Sequence, residues 1–303
     1  MGQIAFVFSG QGAQYPGMGK ELFDAVPEAE KVFRTLDAIR PGTLEQCFSG
    51  SEETLRQTAN TQPCMFAMEM AAAAALEARG VHCDAAAGFS LGEIAALTYT
   101  GAVSLEEGFR LVCARGRLMQ EDAEAKESGM AAVLKLTPEQ VEALCSQYPN
   151  VYPVNYNCPG QISVAGGREV LKDFQKAVKE AGGRAIPLKV QGGFHSPFMA
   201  DAAQKFAALL EPVVFQTPQV PLYSNYTALP YTNDFRQLLS QQIVNPVRWQ
   251  AIIEHMAEQG IDTFVELGPG KTLCGLIAKT CPQARVFHVE DLESLEETRK
   301  GVQ

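Results

Sequence analysis

Residues 88–92 read GFSLG, and this pentapeptide restricts the local fold more than any other stretch of the chain. It fits G-x-S-x-G, the pattern of a nucleophile elbow, in which a strained turn leads from a buried strand into a helix and exposes the serine hydroxyl. The alanine-rich run 84–87 has a low strand propensity, yet its position before the turn predicts a strand. Residues 91–99 predict the helix that follows.

Four further apolar runs predict buried strands, at residues 4–8, 220–223, 263–267 and 285–289. Helical patterns lie between these runs. Strands that alternate with helices favour a mostly parallel sheet covered by helices on both faces. We therefore expect an α/β fold.

The stretch 129–190 has a different order of elements, β-α-β-β-α-β, which is typical of the ferredoxin-like split βαβ unit. Its first helix begins at a capping box, Thr137 to Gln140, with Pro138 in the first helical position. The predicted strands are 130–136, 151–157, 161–165 and 185–190, and the second helix is 169–181. We predict a large α/β domain of residues 1–127 and 192–303, with a small domain of residues 128–191 inserted into it.

Composition excludes several classes of function. The net charge of −10 disfavours binding to nucleic acid. The longest nearly apolar run, 65–76, contains Glu69 and is too short to span a bilayer, so no membrane partner is expected. The first eight residues have no basic segment and read as a strand rather than a signal peptide. Eight scattered cysteines without C-x-x-C or zinc spacing suggest reduced thiols and a cytoplasmic location.

Ser90 is either a nucleophile or a serine that caps the following helix. A nucleophilic serine needs a base, and the chain has four histidines. His82 precedes the elbow strand, His255 lies in a helical stretch where we expect it on the surface, and His288 lies in the last strand. His195 lies in a loop, where catalytic groups concentrate, and is the best candidate if Ser90 is catalytic.

Arg115 shares a helix face with apolar residues at i−4, i+3 and i+4, namely Leu111, Leu118 and Met119. Arg110 and Arg117 belong to a polar face and are expected to be solvated. Arg115 either extends its charge out of the core or is retained in a pocket, where its planar guanidinium would suit a carboxylate.

Two positions are candidates for an oxyanion hole. The N–H of Leu91 follows the serine and would point at a developing oxyanion. Gln11 follows the first strand between Gly10 and Gly12, which allow a close approach of the backbone. Gln11 is either a polar loop residue or a second oxyanion donor.

The chain contains seven motifs that resemble those of the malonyl-CoA:acyl carrier protein transacylases of fatty acid synthesis and of the related discrete acyltransferases of polyketide synthesis, in the order in which the family has them. They are FVFSGQGAQ (6–14), GFSLGEIAAL (88–97), RGRLMQ (115–120), NYNCPGQISVAG (155–166), GGFHSPFM (192–199), QIVNPVRW (242–249) and ELGPGKTL (266–273). The resemblance runs from residue 4 to about residue 278. It implies a hydrolase-like α/β domain with an inserted ferredoxin-like domain, in agreement with the pattern of elements.

The resemblance also implies roles for individual residues. Ser90 matches the nucleophile and His195 its base, which a backbone carbonyl at the position of Gln242 orients in place of an aspartate. The backbone amides of Gln11 and Leu91 match the oxyanion hole.

Three further positions match residues around the substrate in the family. Arg115 matches the partner of the substrate carboxylate. Asn157 and Gln161 match residues near the active-site cleft.

The chain departs from the family pattern at two positions. Phe89 stands where the family usually has histidine, and Ser9 where it has proline. Both changes affect the lining of the pocket and the acyl preference rather than a catalytic atom. Phe194, which precedes the histidine, resembles the malonyl-selective members.

The function that the resemblance implies is transfer of a malonyl group from malonyl-CoA to the phosphopantetheine thiol of acyl carrier protein, through a malonyl-Ser90 intermediate. This reaction requires no metal and no dissociable cofactor. The carrier is typically acidic, so docking needs a local basic patch, for which Arg184 and Lys189 are candidates. The alternatives are a trans-acting polyketide acyltransferase, a serine esterase or thioesterase, and a carrier-binding module without catalysis.

Overall fold

The computed structural model describes residues 2–303 and contains two sheets. The first sheet is parallel throughout and has the order β7-β2-β1-β8-β9; the second is antiparallel and has the order β4-β5-β3-β6. The strands are β1 Gln3–Phe8, β2 Ala85–Gly88, β3 Ser128–Leu134, β4 Val151–Cys158, β5 Gln161–Gly167, β6 Arg184–Pro187, β7 Leu222–Tyr223, β8 Ile261–Leu267 and β9 Arg285–Val289.

Helices cover both sheets, and within residues 2–303 none combines the length and apolar character that a bilayer crossing requires. They are α1 Lys20–Ala25, α2 Pro27–Ile39, α3 Thr43–Ser49, α4 Glu52–Arg56, α5 Thr58–Glu77, α6 Gly92–Tyr99, α7 Leu105–Ala125, α8 Pro138–Cys145, α9 Arg168–Glu180, α10 Ala200–Leu210, α11 Phe235–Val244, α12 Trp249–Glu258, α13 Thr272–Thr280 and α14 Leu292–Val302.

The parallel sheet is buried on both faces, which explains why its strands are apolar runs without alternation. Successive side chains of a strand point to opposite faces. Phe6 and Phe8 of β1 join the core that contains α5 and α7, whereas Ala5 and Val7 join the core formed with α12 and α13. The expected α/β fold class is confirmed.

The antiparallel sheet carries α8 and α9 on one face, and its elements follow the predicted β-α-β-β-α-β order. Val133, Val164 and Phe174 lie in the core between this sheet and its helices. The capping box at Thr137 is confirmed, because its side chain accepts from the Gln140 N–H and the Gln140 side chain accepts from the Thr137 N–H. The boundaries proposed for an inserted domain, 128–191, stay a prediction, because strand pairing does not define an independent folding unit.

Several strand boundaries differ from the prediction. The strand expected at 130–136 ends at Leu134, because Lys135 has a left-handed φ of 68°. The strand expected at 185–190 ends at Pro187, after which the chain lines a cavity. The strand expected at 220–223 is only the short β7, and Pro221 before it has no N–H to donate to a ladder.

Two glycines allow close backbone contacts at the elbow: Gly92 with the end of β1, and Gly88 with Gly92 across the turn. A Cβ on Gly92 would lie 2.3 Å from the Phe8 carbonyl oxygen and 2.6 Å from that of Ser9. A Cβ on Gly88 would lie 1.9 Å from the Gly92 carbonyl carbon. All these atoms belong to the backbone, so they cannot rotate away as a side chain would. Residues 88–92 therefore need glycine at both ends for a packing reason.

We expect Gly92→Ala to lower the free energy of unfolding by about 1–3 kcal/mol, the usual cost of overpacking. Gly275→Ala is the matched control, because Gly275 also lies in a helix but a Cβ there meets nothing within 4 Å. That change should be neutral or stabilising, since alanine is favoured over glycine in helices by about 1 kcal/mol. Urea unfolding of both variants measures the difference. Equal stability of the two variants would contradict the packing argument.

Candidate active site

Ser90 lies in the turn between β2 and α6 with a φ of 56°, a left-handed conformation that non-glycine residues seldom adopt. Asn225 supports this strained turn from the neighbouring strand segment. Its Oδ1 accepts from the Ser90 N–H at 2.7 Å, and its Nδ2 donates to the Gly88 carbonyl at 2.6 Å. The strain is thus held by tertiary contacts, as is common at functional sites.

His195 lies next to Ser90. Its Nε2 is 2.7 Å from Ser90 Oγ, and its Nδ1 is 2.8 Å from the backbone carbonyl of Gln242. Because a carbonyl only accepts, Nδ1 carries the hydrogen and Nε2 is free to accept from the serine hydroxyl. This is the arrangement that a general base requires.

His195 is neutral in this setting. Burial lowers the pKa of His195 to about 3, and the charge of Arg115 adds to the effect, while the hydrogen bond to Gln242 opposes it. A neutral imidazole at physiological pH can take a proton from Ser90, and the imidazolium that forms would be bonded to the Gln242 carbonyl.

Arg115 is fully buried directly behind the nucleophile. Its Nη2 donates to Ser90 Oγ at 3.2 Å and to Gln242 Oε1 at 2.7 Å, and its Nη1 donates to Gln62 Oε1 at 2.9 Å. Burial lowers the pKa of Arg115 to about 10 and Glu93 opposes this, so the guanidinium stays charged at neutral pH. Its Nε is buried without a hydrogen-bond partner in residues 2–303.

A cavity of about 250 Å³ opens onto the Ser90 hydroxyl. It brings together most of the residues that sequence reasoning selected: Gln11, Ser90, Leu91, Asn157, Gln161, Phe194 and His195. Arg115 and Gln242 contact the cavity from behind, through Ser90, His195 and Gln62. The site lies at the carboxyl ends of β1 and β2, where ligands of open α/β sheets bind.

Gln11 and Leu91 flank the nucleophile from two different strand ends. Leu91 begins the turn into α6, and Gln11 lies in the loop after β1, with its side-chain Nε2 3.5 Å from Thr58 Oγ1. Both residues line the cavity beside Ser90. Their assignment as oxyanion donors stays a prediction.

The three other histidines lie elsewhere, and in the described part of the chain none of them lines this cavity. His82 is exposed, 3.6 Å from Glu77. His288 lies in β9, 3.7 Å from Glu290. The expectation of a surface position for His255 is wrong: it is half-buried, because its ring packs on Tyr223.

The two departures from the family pattern have distinct environments. Phe89 lines the cavity and packs edge to face on Trp249, with 5.5 Å between ring centroids. Ser9 is buried, and its hydroxyl donates to Glu266 Oε1 at 3.1 Å. Glu266 also accepts from the N–H groups of Leu273 and Cys274 at the start of α13, so Ser9 ties the end of β1 to that helix.

Sequence reasoning missed four polar residues around the site. Gln62 accepts a hydrogen bond from Arg115, and Asn225 accepts one from the Ser90 N–H of the elbow. Glu93 and Tyr231 form a buried hydrogen-bonded pair below the nucleophile. Glu93 had a signal, because it is the one charged residue in the mostly apolar run 92–99. Asn225 had none, since its loop has the composition of many surface turns.

Comparison with known proteins finds close relatives over the whole chain. Residues 5–300 match the family described as Acyl transferase domain. Malonyl CoA-acyl carrier protein transacylase of Bacillus subtilis (strain 168) is 36% identical over 304 residues, which span 98% of this chain and 96% of the relative.

Solved structures of malonyl-transacylases also match this chain over nearly its whole length. The malonyl CoA-acyl carrier protein transacylase from Clostridium perfringens has a TM-score of 0.95 and 40% identity, with coverage of 99% of this chain and 97% of that one. A malonyl-transacylase solved in complex with its type II PKS acyl-carrier protein has a TM-score of 0.95 and 34% identity, with 99% of both chains covered.

The neutral state of His195 predicts an unusual pH profile. We expect the rate at which phenylmethylsulfonyl fluoride, an uncharged reagent, modifies Ser90 to stay constant from about pH 8 to well below about 6.5, the ordinary histidine pKa. The reason is that burial keeps His195 unprotonated in this range. His195→Ala should be slower by roughly 10²–10⁴ throughout. A rate that halves near pH 6.5 would show that His195 titrates as a solvated histidine.

Proposed function

The chain belongs to the acyl transferase domain family, and on that premise we propose that it moves a malonyl group from malonyl-CoA to the phosphopantetheine thiol of acyl carrier protein. The enzyme is an acyl-carrier-protein S-malonyltransferase, and its product supplies fatty acid synthesis. The observation that carries the proposal is a buried arginine 3.2 Å from the hydroxyl of an elbow serine. A nucleophile beside a buried cation suits an acyl group that ends in a carboxylate.

In the first half-reaction Ser90 Oγ attacks the thioester carbonyl while His195 Nε2 takes the hydroxyl proton. The backbone N–H groups of Gln11 and Leu91 stabilise the oxyanion that forms. Collapse of the tetrahedral intermediate breaks the carbon–sulfur bond, and His195 returns the proton to the departing CoA thiol. The product is malonyl-Ser90.

In the second half-reaction the phosphopantetheine thiol of the carrier attacks malonyl-Ser90. His195 takes the thiol proton and gives it to Ser90 Oγ as the ester bond breaks, which restores the free serine. Asn157 and Gln161 line the cavity wall formed by β4 and β5, which supports a role for them in contacting the pantetheine amides.

Arg115 binds the malonyl carboxylate in both half-reactions. Its Nη2 lies 3.2 Å from Ser90 Oγ, so the guanidinium is close to an acyl group carried on that oxygen. A charged, buried guanidinium gains more from a carboxylate than from a methyl group, so this contact selects malonyl over acetyl.

The carrier and the location of the enzyme are part of the proposal. Lys189 is exposed and lines a second cavity that adjoins the first at Gln11 and Val190, which supports docking of a phosphate-bearing arm there. Arg184 is exposed on β6. We place the reaction in the cytoplasm, a choice supported by eight cysteines that are free thiols.

Intact-mass spectrometry after mixing with malonyl-CoA tests the function. We expect a malonyl adduct that carrier protein removes, and no adduct on Ser90→Ala, because that variant lacks the attacking oxygen. Release of free malonate without carrier would indicate a hydrolase, and the absence of any adduct on the unmodified enzyme would indicate a binding module. An adduct on Ser90→Ala would overturn the assignment of the nucleophile.

Arg115→Ala should reduce acylation by malonyl-CoA far more than acylation by acetyl-CoA. A hydrogen bond to a charged group contributes about 1.5–3 kcal/mol, so the malonyl preference should fall by roughly one to two orders of magnitude. Arg117→Ala is the matched control, because Arg117 lies on the same helix but is exposed and paired with Glu121 at 2.9 Å. An equal loss for both thioesters would mean that Arg115 is structural.

A further inference from the structure

A carboxylate that the proposed chemistry does not use lies beneath the nucleophile. Glu93 belongs to the first turn of α6, three residues after Ser90, and none of its surface is exposed. A buried carboxylate is costly unless it is bonded or paired. Its retention in an apolar helix therefore needs an explanation.

Two of the three hydrogen-bond partners of Glu93 contact the active site. Its Oε2 accepts from Gln242 Nε2 at 2.8 Å, and its Oε1 accepts from the Asn225 N–H at 3.2 Å and from the Tyr231 hydroxyl. Asn225 accepts from the Ser90 N–H of the elbow, and Gln242 Oε1 accepts from Arg115 Nη2. Glu93 is thus separated from the guanidinium by one amide.

The carboxylate and the Ser90 carbonyl, which accepts from the same Nε2 at 2.7 Å, together determine which way the Gln242 amide faces. A carboxylate only accepts hydrogen bonds and a guanidinium only donates them. The Gln242 side chain satisfies both when Nε2 faces Glu93 and Oε1 faces Arg115, as observed. The negative charge of Glu93 also opposes the effect of burial on the pKa of Arg115.

We infer that Glu93 is a positioning residue that, through Gln242, keeps Arg115 aimed at the acyl group, so that it supports the preference for malonyl without touching the substrate. This inference rests on the proposed malonyl transfer. Glu93 acts electrostatically on Arg115 through Gln242. This role differs from simple support of the elbow, because it affects the reaction with malonyl-CoA more than the reaction with acetyl-CoA.

The environment of Glu93 makes this role sensitive to pH. Burial raises the pKa of Glu93 to about 7, and hydrogen bonds from Tyr231 and Gln242 and the charge of Arg115 lower it from what burial alone would produce. The titratable or charged groups near it are Tyr231 and Arg115, with His195 beyond Arg115. Protonation of Glu93 below this pKa removes its charge, so the malonyl preference should decrease as the pH falls through about 7.

The test compares kcat/KM for Ser90 acylation by malonyl-CoA and by acetyl-CoA as a function of pH. In Glu93→Gln the preference should fall by roughly tenfold at pH above 7, equivalent to about 1.4 kcal/mol, and should no longer change with pH. Tyr231→Phe keeps the charge but loses a hydrogen bond that lowers the Glu93 pKa, so its pH midpoint should move upwards. Glu69→Gln is the matched control, because Glu69 is an equally buried glutamate on α5 whose charged neighbour is Glu266.

A double variant distinguishes an effect of Glu93 through Arg115 from a non-specific disturbance of the structure. In the Arg115→Ala background, Glu93→Gln should cause no further loss of preference, since the residue it acts through is gone. An equal loss for both thioesters, or a preference in the unmodified enzyme that does not vary around pH 7, would overturn the inference. If the unmodified enzyme formed no malonyl adduct at all, the proposed function would fail instead. Should Glu93→Gln fold poorly, the midpoint shift in Tyr231→Phe decides the question.

Discussion

The active site depends on the contacts of one buried glutamine. The backbone carbonyl of Gln242 accepts from His195, its side-chain oxygen accepts from Arg115, and its side-chain nitrogen donates to the Ser90 carbonyl and to Glu93. The tautomer of the base, the direction of the cation and the position of the elbow are therefore coupled. Gln242 thus links four groups, and a change at His195, Arg115, Ser90 or Glu93 alters the hydrogen bonds available to the other three.

Exclusion of water gives these contacts their chemical effect. The same burial that lowers the pKa of His195 raises the pKa of Glu93, so the base is neutral while the carboxylate titrates near neutrality. Arg115 stays charged because its pKa begins far above neutral. Burial disfavours the charged form of all three groups, and they differ in charge state because their ordinary pKa values differ and because burial shifts an acid and a base in opposite directions.

Local patterns allowed much of the fold to be predicted. Three kinds of feature depend only on neighbouring residues and could be predicted from the sequence. They are the elbow at 88–92, the runs that form β1, β8 and β9, and the capping box at Thr137. Helical spacing also separated buried Arg115 from its solvated neighbours. Boundaries were less accurate: residues 188–190 have the composition of a strand, but β6 ends at Pro187, and Leu188 and Val190 line the cavity beside the nucleophile instead.

The sequence by itself determined which segment would form the elbow, through the G-x-S-x-G motif, and which arginine lies on an apolar helix face, through helical periodicity, because both patterns span only a few residues. Only the tertiary structure decided what meets at the site. Ser90 contacts His195 across 105 positions and Gln242 across 152, and no local pattern encodes distances of that kind. The role of Glu93 belongs to the same class, because a charged residue in an apolar helix shows that a partner must exist, and only packing brings Gln242, Asn225 and Tyr231 to it.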